Sequence, residues 1–279
     1  MNVLVDYETW VRGGSFVLAL ALSAVAERTW PVRDDARPAA RQGINLALVA
    51  GNTALLRLAF PLLAVTLAFA VHARGGGLLG AVSWPAGVEV VLAVLALDAT
   101  IYWQHRLLHV VPLLWPVHRV HHSDLAIDAT TGVRFHPIEI SLSMGLKLGA
   151  VAILGPDPAA VILFECLLSA GSLLTHADTA LPPAADLLIR RVLVTPSMHR
   201  VHHSLRRDET DSNYGSVFSV WDRLFRSYCA ASRLPERTMP VGLRVLRDPD
   251  ALGLPALLVQ PFRHLPDAGD PCDKNPSDA

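Results

Sequence analysis

Charge is scarce in this sequence. Asp, Glu, Lys and Arg make up 18% of the 279 residues and cancel to a net charge of −1. That balance excludes the basic surface nucleic acid requires, and the acidic excess that keeps a disordered chain in solution. Cysteine is scarce too: Cys166, Cys229 and Cys272 lie far apart and never form a CxxC pair, so neither a disulfide framework nor a thiolate metal site is expected. The sequence has no HExxH, which removes the zincin arrangement of a base between two ligands, and it has no flavin, haem or ferredoxin motif. Gly75, Gly77 and Gly80 do spell GxGxxG, but a dinucleotide loop must follow a strand and open a helix. Here the glycines follow an apolar run and read as a flexible loop.

Apolar residues are abundant, at 52% of the chain, above the share in ordinary soluble domains. A membrane crossing takes roughly 20 apolar residues. Ile44 to Val71 is the clearest span, with Arg57 inside it facing protein or snorkelling, and Ala86 to Trp103 is another. Ser15 to Ala26 is short. It becomes a span only if Trp10 and Val11 join it across Arg12 to Gly14, and is otherwise an interfacial helix. Ile140 to Leu154 and Ala159 to Leu174, separated by a Gly-Pro-Asp-Pro break, either cross the membrane or form a re-entrant hairpin. Val17 to Ala26 lacks a strongly basic start, so signal-peptide cleavage is not expected. Arg28, Arg33, Arg37 and Arg41 crowd the first linker, whereas Arg74 stands by itself at the edge of the next loop. The positive-inside rule then places His105 to Glu139, and everything after His176, in the cytoplasm.

Ten of the twelve histidines fall between His105 and His203. HRLLH supplies His105 and His109. HRVHH supplies His118, His121 and His122, and its second copy supplies His199, His202 and His203. Spacings of three and four put these imidazoles on one face of a helix. Held together without a cation, the eight would pay for desolvation and repel one another on protonation; a metal turns that cost into binding energy. His136 and His176 stand singly in the same layer, while His72 and His264 are not read as ligands. A closed zinc site needs four ligands, so eight to ten imply at least two ions, and imidazole suits iron as well as zinc.

These boxes, an HxxxH followed by two HxxHH, resemble the fatty acid hydroxylase / sterol desaturase superfamily of membrane non-haem di-iron enzymes. RFHPIE at Arg134 to Glu139, TPSMHRVHHS at Thr195 to Ser204 and TDSNYGSVFSVWDRLFRSY at Thr210 to Tyr228 look like its bacterial members. The likeness implies an all-α integral membrane bundle of about four to five hydrophobic helices, with a cytoplasmic helical cap carrying a histidine-rich dimetal site. It implies metal ligation by the eight boxed histidines, completed by His136 and His176. Where the family often has HxN, this chain has His176, Ala177, Asp178, so Asp178 either accepts the second N–H of His176 or leaves that ligand differently tuned.

The expected reaction is O2-dependent hydroxylation or desaturation of a lipid C–H bond. It would use two Fe ions, for which Zn can substitute in purified protein, and electrons from a separate ferredoxin or cytochrome type donor. The expected setting is the bacterial inner membrane with the metal site on the cytoplasmic side. Asp98, seven residues before His105, either orients an imidazole or is a helix-end charge meeting interfacial water. Asp124, Asp178, Asp222 and Glu139 are further carboxylate candidates, while Arg119 and Arg200 pair with acids or lipid headgroups. The chain divides into N-terminal membrane helices and linker (1–89), a catalytic region (90–230) and a C-terminal extension (231–279) that covers the site or lies on the membrane and ends in a disordered tail. The alternatives are a non-redox zinc-binding membrane protein or hydrolase, and, with little room for it, a bis-histidine haem carrier.

Overall fold

The computed structural model describes residues 7–265 apart from 35–37 and 61–62. The residues expected to form a disordered tail lie mostly beyond them, at 266–279. The described residues form helices joined by loops, with two isolated bridges, Leu193 with Phe218 and Ser204 with Val241, in place of any sheet.

Helix α1 (Glu8–Thr29) and α2 (Ala39–Ala59) lead into a short α3 (Ala64–His72) and a single turn, α4 (Gly77–Gly80). Next come α5 (Ala86–Val110), α6 (Trp115–His122), a 3₁₀ turn (Ala129–Val133), α7 (Pro137–Leu154) and α8 (Pro158–His176). The later helices are short: α9 (Pro183–Ile189), α10 (Pro196–His202), α11 (Arg207–Thr210), α12 (Val220–Leu224) and α13 (Leu254–Val259). Among the described residues five segments are long and apolar enough to cross a membrane: Glu8–Thr29, Ala39–Gly80, Gly87–Val110, Pro137–Leu154 and Pro158–His176. Eighteen residues, as in α7, rise about 27 Å, close to the hydrocarbon thickness.

The expected span Ile44 to Val71 lies within the apolar segment Ala39–Gly80, but its helix breaks at Phe60. Phe60 precedes a proline, whose ring disfavours the helical region for the residue before it, and Phe60 is extended at φ −115°, ψ 104°. The glycines expected to form a flexible loop instead pack into a tight corner. Gly155 closes α7 in the left-handed conformation at φ 59°, where a Cβ would lie 1.9 Å from the Gly76 carbonyl oxygen. A Cβ on Gly77 would meet the Gly155 backbone nitrogen at 2.4 Å. The backbones of two turns touch there, and only glycine permits it.

The apolar core between α3, α5, α7 and α8 is built from Ala68, Leu97, Val151, Val161 and Phe164, all at most 1% exposed. Helix α1 lies along α8, while α2 leans on the 3₁₀ turn and α7. Outward, Leu18, Leu22, Leu58, Val91 and Ile153 remain more than half exposed, as suits helices whose solvent is lipid.

Two of the linker arginines tie the linker down. Arg41 reaches Asp124 at 2.5 Å and pairs with Asp128 as well. Arg33 donates to the carbonyls of Met239 and Glu236. The linker is thereby fastened to the cap formed by residues 105–136 and 177–265.

Candidate metal centre

Helix α5 carries His105 and His109 in its last two turns. A short connection leads to α6, whose second residue, Pro116, pre-sets the first turn. Helix α8 ends at His176. Helix α10 starts at Pro196, with Thr195 Oγ1 accepting the Met198 N–H at 3.3 Å. Four helix ends thus aim their imidazoles into one buried layer.

The layer holds two groups. Ligand atoms of His105, His109, His118, His122 and His202 lie within 4.8 Å of one another, and so do those of His121, His176, His199 and His203. The helical repeat explains this sorting. Residues i and i+4 are 40° apart around a helix, whereas i+3 falls 60° to the other side. In α6 the i, i+4 pair His118 and His122 joins the group of five, and His121 turns to the group of four. At α10 the pair His199 and His203, the latter capping the helix, joins the four, and His202 crosses to the five. Each HRVHH box therefore serves both groups, and they touch where His122 stacks on His203 at 4.5 Å between centroids.

The ring nitrogens have divided roles. Nδ1 of His105 donates to the Tyr214 carbonyl at 2.8 Å, Nδ1 of His202 to the Ser212 carbonyl at 2.7 Å, and Nδ1 of His176 to the Ser172 carbonyl at 2.7 Å. Glu139 Oε1 lies 2.8 Å from Nδ1 of His118, and Asp211 Oδ1 lies 3.4 Å from Nδ1 of His109. A proton held on Nδ1 leaves the lone pair on Nε2. Nε2 of His105, His109, His118, His122 and His202 is buried without a hydrogen-bond partner. In the other group Nε2 of His176 lies 3.1 Å from that of His121, 3.0 Å from that of His199 and 3.2 Å from that of His203. Such spacings suit nitrogens gathered around one ion at about 2.1 Å. Converging buried lone pairs repel and are costly to desolvate, and a cation is what satisfies them. The donor set therefore fits two metal ions.

Burial gives the same answer for protonation. It holds His121, His122, His199 and His203 well below the ordinary imidazole range, and neighbouring imidazoles lower them further. His202 is brought down to about 3 for the same reasons. The rings are neutral, as ligands must be.

Five sequence-based candidates stand elsewhere. His136 caps α7: its Nδ1 accepts the Ile138 N–H at 3.1 Å and its Nε2 donates to the Leu258 carbonyl at 3.1 Å, which leaves no nitrogen for a metal. Asp98 accepts from Trp221 Nε1 at 2.8 Å and the Phe218 N–H at 3.2 Å, not from an imidazole. Asp178 accepts the Arg33 N–H and lies 3.7 Å from Arg200, while His176 turns to Ser172. Asp124 holds Arg41, Asn45 and Thr131. Asp222 accepts from the Tyr214 and Gly215 N–H groups and from Ser227, so it orders the loop that presents the Tyr214 carbonyl to His105; burial pushes its carboxyl up to about 6. Glu139 does contact an imidazole. The carbonyls of Ser172, Ser212 and Tyr214 escaped the sequence reading because backbone oxygens carry no residue signal, and Asp211 escaped it because it lies about a hundred residues from His109 in the chain. The embedded arginines point away: Arg119 donates to the carbonyls of Gln260 and Arg263, and Arg200 pairs with Glu236.

A cavity of about 510 Å³ opens on this layer, lined at one end by His105, His118, His121, His176 and His199 and running down between the long helices. A space between apolar helices that ends on convergent imidazoles suits a lipid chain.

These features define a helical membrane protein built around a buried imidazole layer able to hold metal. Residues 90–227, about half of the chain, match the fatty acid hydroxylase family, and the chain belongs to that family. Over 136 residues it is 32% identical to the alkylglycerol monooxygenase of Homo sapiens, a match covering 49% of this chain and 29% of the human protein. It is 29% identical over 180 residues to an ornithine lipid hydroxylase of Rhizobium tropici, covering 64% and 52%. It is 26% identical over 164 residues to a very-long-chain aldehyde decarbonylase of Oryza sativa subsp. indica, covering 57% and 62%. The chain thus spans between about a third and two thirds of the length of these relatives. No solved structure matches it.

Proposed function

We propose that the protein is an O2-dependent lipid hydroxylase or desaturase of the membrane. In this reading one iron is held by His105, His109, His118, His122 and His202, and a second by His121, His176, His199 and His203. The observation that carries it is that both imidazole groups face the same cavity. A chain lying in that space would meet both ions. The names of the relatives, which include a lipid monooxygenase and a lipid hydroxylase, support the same reaction class.

Bound there, the iron pair would supply the activation of O2 needed to attack an unactivated C–H bond. The protein's own part is to hold and exclude. Tyr214, Ser212 and Ser172 fix the imidazole tautomers through their carbonyls, and Glu139 orients His118. Phe135, stacked on His121 at 4.8 Å between centroids, and the apolar wall of Ile101, Leu108 and Val133 keep water from the reacting end. The electrons come from a separate ferredoxin or cytochrome type protein. The histidine layer faces the cytoplasm, on the same side as the arginine-rich linker.

The test is metal analysis of protein produced with iron, paired with lipid mass spectrometry of cells with and without the chain. The expected result is two irons per chain and an O2-dependent gain of one oxygen, or loss of two hydrogens, in a lipid. Zinc alone, with ester or amide cleavage independent of O2, would overturn the reading.

A further inference from the structure

The cavity has a second end. Away from the histidines it is lined by Arg12 of α1, Arg57 of α2, Lys147 of α7 and Glu165 of α8. All four lie in segments apolar enough to cross a membrane, where an ionisable residue is costly and normally has a partner or a ligand. Glu165 serves two of them: its Oε1 is 2.6 Å from Lys147 Nζ and its Oε2 is 3.2 Å from Arg12 Nη1. Arg12 also reaches Glu8 at 3.4 Å. Arg57 makes no hydrogen bond or ion pair with any described residue. Three cations therefore meet two carboxylates, Glu165 and Glu8, at this end, and the excess charge is positive.

The four residues sit at similar depths. Glu165 is eleven residues from His176, Lys147 eleven from His136, Arg57 twelve from Asn45 and Arg12 fifteen from Glu27. Each of those second residues belongs to the histidine layer or is hydrogen-bonded to the loops around it. At 1.5 Å per residue the charged ring lies roughly 16–23 Å from that layer. Phe16, Ile101, Ile140 and Leu168 line the cavity between the two ends. Trp10 and Trp30 stand out from α1, 79% and 61% exposed; twenty residues, or roughly 30 Å, separate them, the spacing of two aromatic belts. Arg12 is within one turn of Trp10, so the charged ring lies near the interface opposite the histidines.

We propose that this ring is a binding site for an anionic group, a carboxylate or a phosphate, carried on a long apolar chain that runs through the cavity toward the imidazoles. The anion completes the pairing of Arg57 and of the two cations that Glu165 shares, through charge-assisted hydrogen bonds. The site sets substrate choice and, where the proposed oxidation holds, the carbon attacked: one in the part of the chain remote from the anionic group. The position of that carbon rests on the proposed function; the anion site does not.

The experiment measures equilibrium binding to the full chain in a neutral detergent. The probes are palmitate, hexadecanol (the same chain without charge) and dipalmitoyl phosphatidate. Wild type is expected to bind at least one of the acids about tenfold more tightly than the alcohol. The better acid distinguishes a free fatty acid from a phospholipid as the source. Arg57→Gln is expected to erase the preference while leaving hexadecanol unchanged. Glu165→Gln, which removes the competing carboxylate, is expected to strengthen acid binding. Equal affinity for acids and alcohol in wild type, no binding of either, or equal weakening of all probes by Arg57→Gln would overturn the site. Protein that prefers the acid yet forms no O2-dependent product would leave this inference standing and sink the proposed oxidation.

Discussion

Glu139 shows how much one side chain outside the imidazole groups can be asked to do. Its carboxylate lies 2.8 Å from His118 Nδ1, so it fixes that ring's tautomer and raises the basicity of its free nitrogen. Glu139→Ala is expected to weaken metal affinity by about 10–100-fold, measured by competition with a chelator. Glu139→Gln, which keeps an oxygen acceptor, should recover part of the loss. His136→Asn should leave metal content at the wild-type level, because both His136 nitrogens are committed to backbone partners. Loss of an equivalent of metal in that variant would return His136 to the ligand set. Acid should act on the imidazoles in one direction. His121, His122, His199, His202 and His203 are neutral in the fold and held below their ordinary range by burial, so the unfolded chain binds the extra protons. Their contribution to stability is fully present above about pH 6.5 and is lost as pH falls below it. Asp222, raised to about 6, has the opposite sign: its contribution is fully present below its unfolded value near 4 and is lost as pH rises toward 6. Asp211, also raised by burial, acts in the same direction as Asp222, so two groups stand against five. A thermal midpoint that holds between pH 7.5 and about pH 6.5 and falls from there to pH 5 is expected, and a flat profile down to pH 5 would refute the argument.

At the scale of elements, the corner between α4 and the α7–α8 turn is the most sharply constrained piece of backbone. Gly155 combines a left-handed φ with a neighbour that would sit 1.9 Å from any Cβ. Gly155→Ala should destabilise by at least about 2 kcal/mol, read as a lower thermal midpoint, whereas the control Gly145→Ala, mid-helix with nothing within 4 Å, should leave the midpoint unchanged or raise it slightly. The same scale decides what was legible in the sequence. The crowding of imidazoles at helical spacing could be read directly, and so could most of the apolar segments. The sorting of each HRVHH box between two groups could not, because it depends on how α6 and α10 are rotated about their axes against α5 and α8. The carboxylates were misjudged for a related reason. Asp98 is seven residues from His105 on a common face, yet residues 214–228 fold back over α5 and place Phe218 and Trp221 on it first. A partner supplied from more than a hundred residues away leaves no local pattern.

For the whole molecule, the imidazole layer joins elements that have few other reasons to meet. Helices α5, α6, α8 and α10 come from positions 105 to 203 and converge with nine imidazoles between their ends, eight of them buried and His105 half-buried. Without a cation those rings contribute unpaired buried nitrogens, a cost the apolar core around Leu97 and Phe164 must offset. With two ions, the binding free energy becomes folding free energy for the cap, because the unfolded chain has no preformed site. The core between α3, α5, α7 and α8 lies outside that dependence. Chelation should therefore act unevenly, lowering the thermal midpoint by several degrees and opening the cap to proteolysis within residues 177–265, while the long helices keep their circular dichroism. Unchanged proteolysis of the cap after complete metal removal, verified by elemental analysis, would mean that the imidazole layer is held by packing alone.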